Sequence, residues 1–208
     1  VEDNNVYFGG AGPYVYHYLS GEIDKISLPV QSLEAIAPHP IERYAISGIG
    51  GGEGALIVSV IVHYQDAGSG YMQLMLNSDE KWVLEKQGSG PEKGMIGGFR
   101  GYWTSPEGNV YSAGLGIFKR EMGTWERFYL PLTSITQTFG VSDRNLWGVG
   151  HVNWIVHFAD GEWIQYYIRL PDSRKYVDWV NGWTDGEKVI VTGIPYDRMD
   201  IGVYAVGE

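Results

Sequence analysis

The chain has 208 residues, of which 44% are hydrophobic and 14% aromatic, with a formal net charge of −10 and no cysteine. That length and apolar content support a sizeable core, while the negative charge and the lack of a Lys/Arg cluster argue against nucleic acid or anionic lipid as partners. Without cysteine, disulfides and thiolate metal sites are excluded, and no run of about 18 apolar residues is present to insert into a membrane. Glycine, at 30 of 208 residues, exceeds the roughly 7% norm and falls between apolar runs, where it reads as turn chemistry. The opening VEDNN has neither the basic end nor the apolar stretch of an export signal. Aromatic richness and few lysines nevertheless favour an extracellular or periplasmic placement.

Taken in chain order, the predicted elements form five units. The first, about residues 1–30, offers the strands VYFGG, YVYHY and EIDKISL. The second, 31–91, admits two registers. In one, RYAISGIGGGEG and ALIVSVIVHYQ are its second and third strands, with an inserted hairpin before Trp82. In the other, ALIVSVIVHYQ is second, YMQLML third, NSDEK a turn and WVLEKQ fourth, which aligns Trp82 with Trp125 and Trp163 and is preferred. The third unit, 92–131, reads MIGGFRGYWTS, NVYSAG, GIFK and TWERFYL, with SPEGN as its first turn. The fourth, 132–171, is the cleanest: Ser134–Ser142, Leu146–Gly150, Asn153–Phe158, the turn ADG, then EWIQYYIRL. The fifth, 172–208, offers KYVDWVNGWTDG, KVIVTG and DIGVYAVGE.

Three outermost strands close on Leu28-Pro29, Leu130-Pro131 and Leu170-Pro171. Proline cannot donate to a ladder, so it ends a strand and blunts its edge. A unit of roughly 40 residues holding about four short strands is the mark of a propeller blade. The expectation is therefore an all-β chain, a β-propeller of four-stranded antiparallel blades, with 1–208 as a single domain or segment. Both end units carry second and third strands, which favours a window on a longer propeller over a five-bladed ring with two incomplete blades.

At the turns into the fourth strands stand ADGEW (159–163), REMGTW (120–125) and NSDEKW (77–82). These resemble degenerate Asp-boxes of sialidase-like propellers, and the whole repeat resembles that of photosystem-assembly-factor-type propellers. Asp160, Gly161 and Trp163 match well, whereas Met122 and Ile23 depart from the pattern. The resemblance implies a structural role: the Asp and Gly shape a turn and the Trp packs between strands. It implies a fold and leaves function to the site.

His17 and His157 occupy equivalent third-strand positions in different units, so they are expected to pack against separate neighbours rather than converge on a metal. His63 echoes them only in the less favoured register, and His39 and His151 have no obvious partner. GIGGGEG (48–54) lacks the following helix and Lys of a phosphate loop and reads as a hairpin tip. The acids Glu107, Asp143, Asp160, Glu162, Asp185 and Glu187 fall at turns, where they solubilise, and no nucleophile-elbow pattern is present.

The candidate ligand-binding stripe is Phe99, Arg100, Tyr102, Trp103, Asp178, Trp179, Asn181 and Trp183, on or beside innermost strands. Rings interleaved with amides suit a sugar or a peptide. Trp103, Phe139 and Trp183 share one unit position, and that repetition favours packing between blades over a ligand role. The function expected is a non-enzymatic scaffold for protein or glycan recognition, with no cofactor and no metal. The alternatives are a glycan-active hydrolase or lyase, and a structural subunit of an assembly.

Overall fold

The structure, a computed structural model, describes residues 6–52, 55–66, 68–89, 101–129, 133–168, 176–196 and 202–207. Among these residues it is all-β apart from one short helix, and the strands form five antiparallel sheets of propeller-blade type, each a simple meander. Sheet 1 comprises β1 (Val6–Gly9), β2 (Tyr14–Leu19) and β3 (Glu22–Ser27). Sheet 2 comprises β4 (Ile41–Gly52), β5 (Ala55–Tyr64), β6 (Ser69–Leu76) and β7 (Trp82–Ser89). Sheet 3 holds β8 (Tyr102–Thr104), β9 (Val110–Gly114), β10 (Gly116–Glu121) and β11 (Thr124–Tyr129). Sheet 4 holds β12 (Ile135–Ser142), β13 (Asn145–Gly150), β14 (Trp154–Ala159) and β15 (Glu162–Tyr167). Sheet 5 holds β16 (Val177–Thr184), β17 (Val189–Pro195) and β18 (Val203–Gly207). The chain divides into two compact units, residues 1–98 with the first two sheets and 99–208 with the other three.

The preferred register of the second unit is the one adopted: β5, β6 and β7 are its second to fourth strands, and β4 supplies the first. Of GIGGGEG, Gly48–Gly52 form the end of β4, with Gly52 paired to Ala55 of β5; Glu53 and Gly54 lie outside the described residues. Between β3 and β4 the sequence reading missed a helix, α1 (Val30–Ile36). Pro29 stands at its N-cap, and Leu33 is buried in the core of the first unit. Pro38 ends it, because a following proline disfavours the α conformation; Ala37 is accordingly extended, at φ −66° and ψ 137°. The Tyr44 hydroxyl donates to Glu34 Oε1 at 3.4 Å across this packing. Burial, and secondarily the Glu34 carboxylate, pushes the Tyr44 phenol up to about 12. Of the three Leu-Pro pairs, Leu28 is buried just after β3 and Pro29 caps α1; the other two lie outside the described residues.

The rhyme at the turns has a backbone cause. Ser20-Gly21, Met122-Gly123 and Asp160-Gly161 are two-residue hairpin loops in which both residues have positive φ. Such type I′ turns match the twist of the flanking strands and favour glycine second. The residue pairs then repeat from sheet to sheet. Tyr7, Tyr111, Trp147 and Ile190 hold one rung, facing His17, Lys119, His157 and Val206 on the next strand.

Outermost-strand tryptophans tie neighbouring sheets. Trp163 of β15 stacks on Tyr129 of β11 with ring centroids 4.2 Å apart, and Trp82 of β7 donates its indole N–H to Ser27 O of β3 at 3.0 Å. Within the second unit, Tyr111, Ile117, Ile135, Leu146 and Val156 close the core between sheets 3 and 4. Phe139, Val149, Ile155, Val177, Trp179 and Val191 do so between sheets 4 and 5.

Innermost strands approach closely where small residues allow it. A Cβ on Gly182 would lie 2.0 Å from Cε1 of the buried Phe139 ring. We expect Gly182→Ala to destabilise the fold by about 1–3 kcal/mol through overpacking, read as a lower urea midpoint. The double change with Phe139→Leu should recover part of that loss.

Candidate protein-recognition surface

Sheet 5 departs from strict alternation at one point. Trp179 pairs with Gly193 and Asn181 with Thr192, so Val180 is an extra residue on β16. Such a bulge exchanges the two faces for every residue beyond it. Val177 and Trp179 face sheet 4 and are fully buried; past the bulge, Gly182 and Thr184 take that side. Asn181 and Trp183 are thereby turned to the opposite face, together with Asp178 upstream.

That opposite face is apolar and open. Its rows follow directly from the ladder: Trp183, Ile190 and Val206; Asn181, Thr192 and Tyr204; Asp178 and Ile194. Trp183 is 55% exposed, Tyr204 73% and Val206 58%, with Val180, Ile190 and Ile194 also exposed. Strands β17 and β18 alternate cleanly, as expected of a sheet with one face packed and the other free. Here the free face carries mainly large aliphatic and aromatic groups, with Asp178 beside Ile194.

The loop between β13 and β14 fixes the start of this sheet. The Asn153 side-chain oxygen accepts a hydrogen bond from the Val177 backbone N–H, while the Asn153 backbone N–H donates to Val177 O at 2.9 Å. His151 Nδ1 lies 2.7 Å from Asp178 Oδ1. The Thr136 hydroxyl of β12 lies within hydrogen-bond reach of both Trp179 O and Val149 O, to either of which its one proton can be donated. Asn153 and Val152 both have positive φ, at 69° and 61°, a conformation costly for valine. The open face is thus mounted on a stiff support.

The predicted site residues divide accordingly. Asp178, Asn181 and Trp183 share the open face, and Trp179 is core. Trp103, on the equivalent rung of sheet 3, packs beside Tyr111 with centroids 5.4 Å apart, and Tyr102 is buried against Trp125 at 6.0 Å. Phe99 and Arg100 lie outside the described residues. Sequence reasoning missed Ile190, Ile194, Tyr204 and Val206, because β17 and β18 carry apolar residues on both faces and their period-two exposure shows only in the structure.

His17 and His157 each stack on an aromatic of the preceding strand in their own sheets, Tyr7 at 4.3 Å and Trp147 at 3.7 Å. His63 lies on β5, bonded to the Ser69 hydroxyl at 2.8 Å, and His39 tilts against Tyr64 at 5.6 Å. No three His, Asp or Glu side chains converge as metal ligands among the described residues. Turn acids serve the backbone: the Lys188 and Glu187 N–H groups bond Asp185 and hold its carboxyl below the usual range. Asp143 accepts from the Asn109 side chain.

No protein-family model and no curated protein sequence matches the chain. Among solved structures it is similar to one described as YCF48 bound to D1 peptide, with 12% identity over 90% of this chain and 71% of that chain, and a TM-score of 0.44.

Burial lowers the His157 imidazole below its ordinary value of 6.5, disfavouring its charged form. Its Nε2 lies 3.0 Å from Asn145 Oδ1. Below pH 6.5 the unfolded chain then binds more protons at this site, so stability is full above that pH and falls as pH drops through it. We expect His157→Gln to shrink the loss of urea midpoint between pH 7.5 and the mid-fives (roughly one unit below the usual histidine value). An unchanged pH slope would show that the site does not titrate this way.

Proposed function

We propose that the chain is a non-enzymatic scaffold that recognises a protein, using the open face of sheet 5. The observation that carries this reading is the row Trp183–Ile190–Val206, with Tyr204 beside it, on a sheet whose other face is packed. Contiguous apolar surface of this kind marks interaction sites, and aromatic anchors dominate the energetics of protein interfaces. Aliphatic Ile190, Ile194, Val180 and Val206 favour a protein over a glycan, whose hydroxyls would need a denser set of polar groups than Asn181 and Asp178 provide. The rigid ladder beneath limits the ordering cost of binding.

The test is a photo-reactive phenylalanine analogue at position 183, introduced in the source cells, with a second at exposed Glu162 as control. A discrete protein adduct at 183 alone is expected, lost by at least tenfold on Ile190→Asp or Val206→Asp. Trp183→Ser should leave stability within about 0.5 kcal/mol, as for other surface substitutions. Saturable quenching of tryptophan fluorescence by simple sugars, abolished by Trp183→Ser and without any protein adduct, would replace this reading with a lectin.

A further inference from the structure

Met122 stands where the fold asks for a different residue. It takes the first position of the two-residue turn between β10 and β11, at φ 46°, and its relative exposure is 101%. The matching turns of sheets 1 and 4 have Ser20 and Asp160 there, and this turn type favours asparagine, aspartate or glycine. Methionine adds backbone strain to the turn. With its side chain wholly in water, it gains nothing from burial. The hairpin closes without it: Glu121 pairs with Thr124, and the Thr124 hydroxyl donates to Glu121 O at 2.9 Å.

What the side chain does offer is an accessible thioether. Two other methionines fall among the described residues, and both are enclosed in sheet 2. Met72 is 1% exposed in the core of the first unit, and Met75 is half-buried between its ladder partners Ile57 and Val83. Met95 and Met199 lie outside the described residues. These 208 residues contain no cysteine, so no thiol of the chain competes for an oxidant. A thioether has no proton to lose, so access to its sulfur lone pairs, not ionisation, governs its reaction with a peroxide.

We propose that Met122 is a reversible oxidation site whose co-reactant is hydrogen peroxide or an organic hydroperoxide. A sulfur lone pair attacks the terminal peroxide oxygen, and the S–O bond forms as the O–O bond breaks. The sulfur gives up two electrons. The proton of the transferred hydroxyl passes to the leaving oxygen, so the peroxide is reduced to water or to an alcohol. The product is a polar, chiral sulfoxide. At Met72 that change would set an unpaired dipole in an apolar core; at Met122 it meets only water. The turn of sheet 3 thus carries a modification that sulfoxide reductases can remove, one enzyme for each epimer, without disturbing the packing. The proposal goes beyond the recognition reading and does not depend on what sheet 5 binds.

The test treats the folded 208-residue chain with hydrogen peroxide and follows its tryptic peptides by mass. Trypsin places Met122 in 121–127, Met95 in 94–100, Met199 in 199–208, and Met72 with Met75 in 44–81. Peptide 121–127 should gain one oxygen, located on Met122 by fragmentation, at least tenfold faster than 44–81 gains its first. Urea should abolish that difference, and the two epimer-specific reductases together should restore the parent mass. Full oxidation at Met122 should leave the urea midpoint unchanged, and Met122→Asn should raise it. Oxidation of 121–127 no faster than of 44–81, or an oxygen found on Trp125 instead, would overturn the proposal. So would a midpoint lowered by Met122→Asn, or one lowered by peroxide in the parent and not in that variant, since the side chain would then support the turn.

Discussion

An apolar strand that is flanked on both sides must hide two sets of side chains, and the second unit of this protein is arranged around that demand. Sheet 4 satisfies it fully: Leu146 and Val156 meet sheet 3, while Val149 and Ile155 meet sheet 5. Each contact is built from the same rungs, so burial repeats rather than being solved anew in each sheet. A fully buried Val, Ile or Leu gains about 1.5–3 kcal/mol from leaving water, and the stacked geometry lets one strand gain it on both faces. Sheet 5 keeps the same residue types on its second face without a described neighbour over them. Recognition in this reading is core chemistry displayed at the surface.

Much of the fold was legible because hairpin chemistry is local. A glycine following Ser20, Met122 or Asp160 is required by positive φ, which few other residues tolerate, so the turn spacing is written into the residues. Alignment of Trp82 with Trp125 and Trp163 chose the right register for sheet 2, because a strand slipped by one residue would send its apolar set to the wrong face. The helix α1 was not legible. Seven residues are too few for a clear helical period, and Pro29, read as a strand end, lies just past Ser27, where β3 stops, and caps the helix.

The candidate site was legible in part. Trp179 and Trp183 are four apart, which in an unbroken strand places both on one face. The bulge at Val180 separates them into core and surface, and nothing in the side chains of DWVNGW announces an extra residue. Trp103, Phe139 and Trp183 do share a rung, yet the first two lie between sheets and the third does not. Equivalent position therefore did not mean equivalent environment. The aliphatic half of the surface escaped notice because Ile190, Val206 and Ile194 look like ordinary strand residues until both neighbours of each are known.

The loop His151–Asn153 has a mechanical meaning. In a simple array of repeats, each module opens at its own cost and the ends fray first. Here the amide of Asn153 and the ring of His151 reach out of one meander and clasp the first residues of the next. Peeling sheet 5 away would strand a buried polar side chain and release a valine held at φ 61°. The two sheets are latched, and sheet 5 shares the rigidity of sheet 4.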